Sequence, residues 1–158
     1  MICEDIGDLM TQARAGSSWM GLDLGTKTIG VAVSDRLLSS ATPLHTIRRV
    51  KFSKDAEALL QIIADREIGA IILGLPRNMD GSEGPRCQST RAFVRNLARL
   101  TDLPIGYWDE RLSTVAAERA LLEADTSRKR RAEVIDHVAA GYILQGALDR
   151  ARHIRTVG

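Results

Sequence analysis

The sequence predicts an α/β domain built on a mixed β-sheet. Of its 158 residues, 44% are hydrophobic and 27% are charged, which is typical of a globular chain long enough to bury one full core. Three strand-like segments follow one another between about residues 19 and 48, and strand-like and helix-like segments then alternate. A meander followed by such alternation favours a sheet that contains both antiparallel and parallel strands.

The first two strands form a predicted hairpin, at about 19–24 and 28–35, with its turn near Gly25. Strand alternation places two leucines on one face, and Gly21 and Asp23 on the other, which is nearly free of bulky side chains. A carboxylate is costly to bury unless it is paired or binds a metal. Asp23 therefore indicates either a functional site or a cap on the backbone N–H groups of the turn, and the hairpin alone does not decide between them.

The remaining segments complete the alternation. A third strand is expected at about 41–48, and Ser53 is a candidate N-cap for a helix at about 54–66. Residues 69–74 are apolar on both faces, as in a central parallel strand, and lead into a loop rich in proline and glycine. The further predicted elements are a helix at about 86–100, a strand at 104–109, a helix at about 114–124 capped by Ser113, and a last helix at about 131–151.

The N-terminal residues and the composition exclude several classes. Residues 1–18 are expected to be a short helix or a loose arm, an extension before the main domain of residues 19–158. Acidic residues in the first ten positions do not fit a secretory signal, and no apolar stretch approaches the roughly 18 residues of a membrane span. Cys3 and Cys87 have neither metal-ligand spacing nor a partner pattern for disulfides. We expect a cytoplasmic protein without membrane contact.

Three carboxylates lie where an α/β fold collects its chemistry. Asp23 is on the first strand, and Glu110 follows the end of the last strand, where open α/β sheets bind ligands. Asp136 lies on the last helix, at the edge of an apolar stripe formed by Ala139, Ala140 and Ile143. Each acid also has a structural interpretation: Asp109 and Glu110 could form a polar turn that pairs with Arg111, and Asp136 could pair with Arg131 or His137.

If the three carboxylates converge, they repel one another, and a hard cation relieves that repulsion. Mg²⁺ takes oxygen ligands and bridges readily to phosphates, and a pair of such ions can hydrolyse a phosphodiester without a covalent nucleophile. The basic block Ser127-Arg128-Lys129-Arg130-Arg131 is expected in the loop before the last helix. Such a block becomes a phosphate-binding candidate when an adjacent site acts on phosphates.

Four motifs in order resemble one known family. They lie at Leu22–Asp35, Gly74–Pro85, Trp108–Thr114 and Asp136–Ala140. Together they are similar to the RuvX family, also called YqgF, of Holliday junction resolvase-like proteins that are also described as the pre-16S ribosomal RNA nuclease. The resemblance covers residues 19 to about 150.

The resemblance implies an RNase H-like fold, a five-stranded mixed sheet flanked by helices, and a hydrolase acting on the ester bonds of nucleic acid. It implies that Asp23, Glu110 and Asp136 are catalytic ligands of Mg²⁺ or Mn²⁺. The residues expected to face the substrate or to order the site are Lys27, Arg77, Asn78, Asp80, Arg111, Arg128, Lys129 and Arg130. Two positions depart from the pattern: Thr28 stands where the family often has arginine, and His137 follows Asp136 where related resolvases carry a fourth acid nearby. The resemblance therefore does not fix whether the site binds one metal ion or two.

Four functions are compatible with these residues. The first is a nuclease acting on structured RNA, in 5′-end maturation of pre-16S ribosomal RNA. The second is the same chemistry on branched DNA, where a symmetric four-way junction would call for a homodimer rather than a monomer. The third is a non-catalytic RNA-binding or transcription-associated module. The fourth is a nucleotide phosphotransferase, since the Asp-Leu-Gly-Thr turn also resembles actin-like ATPases, although those need two such domains.

Overall fold

The computed structural model describes residues 1–112 and 128–157, and the side chains of the last helix from His137 to Thr156. In chain order the described strands are β1 (Ile2–Cys3), β2 (Ser18–Leu24), β3 (Thr28–Ser34), β4 (Ala41–Arg48), β5 (Ile68–Leu75) and β6 (Ile105–Asp109). The described α-helices are α1 (Ile6–Gln12), α2 (Phe52–Arg66), α3 (Pro85–Ala98) and α4 (Arg128–Val157). A short 3₁₀ helix, Glu110–Leu112, follows β6.

The strands form one mixed sheet in the order β1-β6-β5-β2-β3-β4. β2 and β3 are the predicted antiparallel hairpin, and β4 continues the meander. β2, β5, β6 and β1 run parallel to one another. β5 is buried along its whole length, as its continuous apolar sequence predicts. The carboxyl ends of β2, β5 and β6 consequently meet at one edge of the sheet.

The sheet has six strands rather than the five expected. The sixth is β1, which pairs in parallel with β6 through Ile2 opposite Ile105. After it, the Asp5 side chain accepts a hydrogen bond from the Asp8 amide and caps α1, whose Leu9 is fully buried. The N-terminal residues therefore contribute an edge strand and a helix to the same core. A two-residue strand is too short to show alternation, so the sequence pattern could not reveal it.

Helices cover both faces of the sheet. α2 and α3 pack on one face, where Leu59, Phe93 and Leu97 join the leucines of β2 in the larger core cluster. α1 and α4 pack on the other face, against Trp19 and Ile72. Within the described ranges, no helix is both long and apolar enough to cross a membrane.

Two helix starts differ from expectation. α2 begins at Phe52, and its N-cap is Lys51 without a side-chain hydrogen bond, so Ser53 lies inside the helix and does not cap it. α4 begins at Arg128, so the basic residues 128–131 are helical rather than part of a loop. Arginine and lysine are good helix formers, which permits the helix to extend into this block. The helix expected at about 114–124, with its cap Ser113, lies outside the described residues.

Candidate active site

Asp23 lies near the carboxyl end of β2 on the sheet face that α4 covers. Only 5% of it is exposed, and it pairs across the hairpin with Gly30, which in turn pairs with Thr46 of β4. Two residues earlier, a Cβ built on Gly21 would lie 2.6 Å from the Leu144 Cβ of α4, so this face admits very close helix packing. Because alternate residues of a strand share a face, Asp23 points to the same side of the sheet as α4.

The hairpin turn closes through its own backbone. The Gly25 N–H donates to the Thr28 carbonyl at 2.9 Å, and the Lys27 carbonyl accepts the Arg49 N–H at 2.8 Å. The Gly25 amide therefore has a backbone partner and does not require the Asp23 carboxylate as its cap. This bond accounts for Gly25 and not for Thr26, so the choice between the two interpretations of Asp23 stays a prediction.

Glu110 reaches the same face from β6, across a glycine of β5. Leu22 of β2 pairs with Leu73 of β5, so the next residues along the two parallel strands are Asp23 and Gly74. A Cβ on Gly74 would lie 2.7 Å from the Glu110 Oε1 and 2.5 Å from the Ile143 Cδ1 of α4. The Glu110 carboxylate thus occupies space that any other residue at position 74 would fill. Neighbouring strands are about 4.8 Å apart, so the Glu110 carboxylate over Gly74 lies about one strand spacing from Asp23.

Asp136 lies on the first part of α4, and its side chain is outside the described part of the chain. The next residue is positioned by a hydrogen bond: the His137 Nδ1 lies 2.9 Å from the Thr46 Oγ1. Thr46 is in the same cross-strand row as Gly30 and Asp23, so this bond fixes His137 over β4, two strands away from Asp23. Among the described side chains alone, no three His, Cys, Asp or Glu residues form a metal-binding group.

The loop after β5 is ordered by its own polar side chains. The Asn78 Nδ2 donates to the Ser82 Oγ at 3.0 Å, and the Asp80 Oδ1 accepts both the amide and the hydroxyl of Ser82, at 2.9 and 2.6 Å. The hydrogen bond from the Ser82 hydroxyl lowers the pKa of the Asp80 carboxyl below its ordinary value. Asn78 and Asp80, both exposed, therefore order this loop, which leads from β5 to α3.

The Arg111 guanidinium pairs with Asp109. Its Nη2 lies 2.7 Å from the Asp109 Oδ2, its Nε lies 3.1 Å from each carboxylate oxygen, and its Nη1 lies 3.4 Å from the Met79 carbonyl. These hydrogen bonds lower the pKa of the Asp109 carboxyl. Arg111 thus pairs with Asp109, as the structural interpretation of this turn predicts for Asp109, and it also contacts the loop after β5.

Arg91, which no sequence pattern singles out, connects the loop after β5 to the N-terminal residues. The Arg91 guanidinium on α3 makes two hydrogen bonds to Glu83, at 2.6 and 2.8 Å, and one to Glu4 at 2.9 Å. It also lies 4.7 Å from the centroid of the Tyr107 ring. The Arg91 hydrogen bond is the main reason why the pKa of the Glu83 carboxyl is below its ordinary value. Eight residues separate the pair, a spacing that no helix or strand pattern singles out.

We expect the Glu83–Arg91 pair to make stability sensitive to acid. Because folding lowers the pKa of Glu83, its contribution is present above the ordinary pKa of 4.5 and is lost as the pH falls through the lowered value. Glu83→Gln should lower the melting temperature near neutral pH and leave it less dependent on pH in the acid range. Thermal unfolding of both proteins between about pH 3 and pH 7 measures this difference. Equal slopes for the two proteins would contradict the expectation.

The remaining predicted residues are distributed around this edge. Lys27 is exposed in the hairpin turn. Arg77 is partly buried, its Nη2 lies 3.5 Å from the Glu83 Oε2, and its Nε is buried without a hydrogen-bond partner among the described residues. Arg128, Lys129 and Arg130 lie in the first turn of α4, with side chains outside the described part. Sequence reasoning missed Gly74, although a glycine inside an apolar strand is a recognised signal of close approach.

Comparison with solved structures identifies the fold. Thermus thermophilus RuvC is 14% identical, with a TM-score of 0.52, and the alignment covers 88% of this chain and 96% of that one. The yeast mitochondrial Holliday junction resolvase Ydc2 is 12% identical, with a TM-score of 0.50, over 94% of this chain and 86% of that one. At such identities the likeness concerns the fold alone, and it confirms the predicted RNase H-like fold.

Comparison of sequences identifies the family of this chain, which the fold alone does not. A protein of Ruegeria sp. strain TM1040 named "Putative pre-16S rRNA nuclease" is 72% identical over 156 residues, 99% of both chains. A protein of the same name from Paracoccus denitrificans strain Pd 1222 is 70% identical over 154 residues, 98% of both chains. The family model described as "RuvX: Holliday junction resolvase" matches residues 17–150. With its four motifs inside that match, this chain belongs to the RuvX family.

Proposed function

We propose that this protein is a divalent-metal-dependent nuclease that hydrolyses phosphodiester bonds of structured RNA. The observation that carries the proposal is the placement of Glu110 over Gly74, beside the buried Asp23. Two carboxylates at the ends of β2 and β6, with only the glycine of β5 between them, repel each other, and a cation between them would relieve that repulsion. The absence of a Cβ at position 74 leaves room for that arrangement.

The donor set fits Mg²⁺ or Mn²⁺. Asp23, Glu110 and Asp136 supply only carboxylate oxygens, which these ions prefer, and His137, the nearest nitrogen ligand in sequence, is engaged with Thr46. A bound ion of this kind lowers the pKa of a coordinated water and offsets negative charge on the phosphate. The three carboxylates are the proposed catalytic ligands.

The surrounding cations are proposed to bind and orient the nucleic-acid backbone. Lys27 is exposed on the turn that follows Asp23, and the helical block Arg128–Arg130 begins α4 two turns before Asp136. Arg111, fixed against Asp109, and Arg77, close to Glu83, lie on the loops that flank Glu110. Charges of this sign supply much of the affinity for nucleic acid without reading its sequence.

The substrate we favour is the 5′ end of pre-16S ribosomal RNA, processed in the cytoplasm. The name shared by relatives at 70–72% identity supports RNA as the substrate. The description of the family model supports a second candidate, a four-way DNA junction, which the same chemistry would cut. A single active site suffices for RNA, whereas a symmetric junction would require two, and hence a homodimer.

A direct cleavage assay tests the proposal. The purified protein is incubated with precursor 16S RNA and with a four-way DNA junction, each with Mn²⁺ and with a chelator. We expect cleavage of the RNA that depends on Mn²⁺, with the junction left intact. Cleavage of the junction alone would favour the second candidate. RNA binding without cleavage of either substrate would refute the nuclease proposal and favour a non-catalytic binding module.

A further inference from the structure

A cationic pocket lies beside the proposed active site, on the opposite face of the sheet. Its volume is about 560 Å³, and it opens between the hairpin turn and the first residues of α2 and α3. Arg49, Lys51 and Arg86 line it, and Asp55 is the one acid among the described lining residues. Three cations and one carboxylate give this pocket an excess of positive charge.

The wall of the pocket is built by Arg49. Its Nη1 donates to the Gly25 carbonyl at 2.6 Å, its Nε lies 3.7 Å from the Asp55 Oδ2, and its guanidinium lies 5.8 Å from the centroid of the Phe93 ring. Asp55, only 3% exposed, also accepts the Val50 amide at 3.1 Å. These contacts fix one cation in place and join the pocket wall to the turn that follows Asp23.

The other two cations are available to a ligand. Lys51 and Arg86 are exposed, and neither makes a salt bridge within the described residues. They stand at the starts of α2 and α3, where the N-caps Lys51 and Gly84 make no side-chain hydrogen bond to the first turn. The two helix N-termini add partial positive charge to a cavity that is already cationic, and Pro85 at the start of α3 supplies no N–H donor. Ser89 supplies a hydroxyl at the same wall.

The pocket and the proposed active site are lined by consecutive residues of β2. Leu24 lines the pocket, while the preceding residue, Asp23, faces α4 on the other side of the sheet. A nucleic-acid strand that crosses the hairpin turn would therefore reach both the pocket and the proposed active site. We propose that this pocket binds a backbone phosphate of the nucleic acid, flanking the bond that is cut. This inference rests on the proposed nuclease function, and it assigns Arg49, Lys51 and Arg86 to a phosphate subsite outside the metal ligands.

Two titrations without metal test the subsite. In the first, inorganic phosphate is added to ¹⁵N-labelled protein, and the amide shifts of Phe52, Ser53 and Arg86 are followed. In the second, binding of a single-stranded RNA oligonucleotide is measured against salt concentration in the presence of a chelator. The test variant is Lys51→Gln/Arg86→Gln. The matched control is Arg66→Gln/Arg95→Gln, which removes two exposed cations from the last turns of the same helices.

We expect phosphate to shift these amides in the wild type and the control, but not in the test variant. Loss of this one phosphate contact should reduce the slope of log K against log salt by about 0.7 relative to the wild type. A test variant indistinguishable from the control in both titrations would overturn the inference. Loss of phosphate shifts with an unchanged RNA slope would overturn it too, because the pocket would then take free phosphate only. Neither titration depends on cleavage, so failure of the nuclease proposal appears separately, in the cleavage assay.

Discussion

Asp23→Asn is expected to reduce Mn²⁺-dependent cleavage by about 10³-fold, because a bound metal contributes several kcal/mol of transition-state stabilisation. Asparagine has nearly the size of aspartate, so the residue still fits its position between Gly30 and the end of β5. It lacks the negative charge that holds a cation. The rate is measured by single-turnover cleavage of precursor RNA, and the fold by thermal unfolding.

The matched control is Asp102→Asn, an exposed acid in the loop before β6. It removes the same charge from the chain and should leave the cleavage rate unchanged. If Asp23→Asn unfolds the protein, then Asp23 has a structural role and the rate carries no information about metal. In that event Glu110→Gln repeats the measurement at a partly exposed ligand. A folded Asp23→Asn protein that cuts as well as the wild type would refute the assignment of Asp23.

Gly74→Ala is expected to lower cleavage by about 10²-fold while the protein still folds. The added methyl would lie 2.7 Å from the Glu110 Oε1 and 2.5 Å from the Ile143 Cδ1, and both atoms belong to side chains that can move. A displacement of about 1 Å in a reacting group is enough for such a loss. Overpacking should also cost about 1–3 kcal/mol of stability, measured by urea unfolding.

Gly106→Ala is the control that separates the loss of cleavage from the loss of stability. Gly106 is on the adjacent strand β6, and an added methyl there meets the Leu9 methyl groups at 3.2 and 3.4 Å, away from Glu110. We expect it to lower stability slightly and to leave the cleavage rate within about twofold of the wild type. If both variants lose activity in proportion to their loss of stability, then the placement of Glu110 over Gly74 has no catalytic consequence.

The elements predicted well were those with strong local patterns. The hairpin around Asp23 was predicted almost to its ends, because alternation and a glycine turn act over a few residues. The all-apolar run of β5 identified a central strand, and the breakers after it identified the loop. The position of Asp23 and Glu110 at one sheet edge followed from topology, since parallel strands align their carboxyl ends.

What escaped prediction depends on contacts between distant segments. Glu83 and Arg91 come together with Glu4, which the sequence places in an N-terminal arm of unknown position. Ser53 looked like a helix cap, but the turn before α2 is held instead by Asp55, whose carboxylate accepts the Val50 amide. The role of Gly74 becomes visible only once Glu110 is seen to lie over it. Tertiary packing sets each of these features, and only Gly74 had a local signal, as a glycine inside an apolar strand.

The most direct measurement of the central claim is the location of a bound metal. Crystals of the wild-type protein grown with Mn²⁺, measured at a wavelength where manganese scatters anomalously, give a difference map that marks the ion itself. We predict a peak at the carboxyl end of β2, within bonding distance of carboxylate oxygens of Asp23, Glu110 and Asp136. A well-occupied peak elsewhere, or an edge that stays empty at saturating Mn²⁺, would contradict the account.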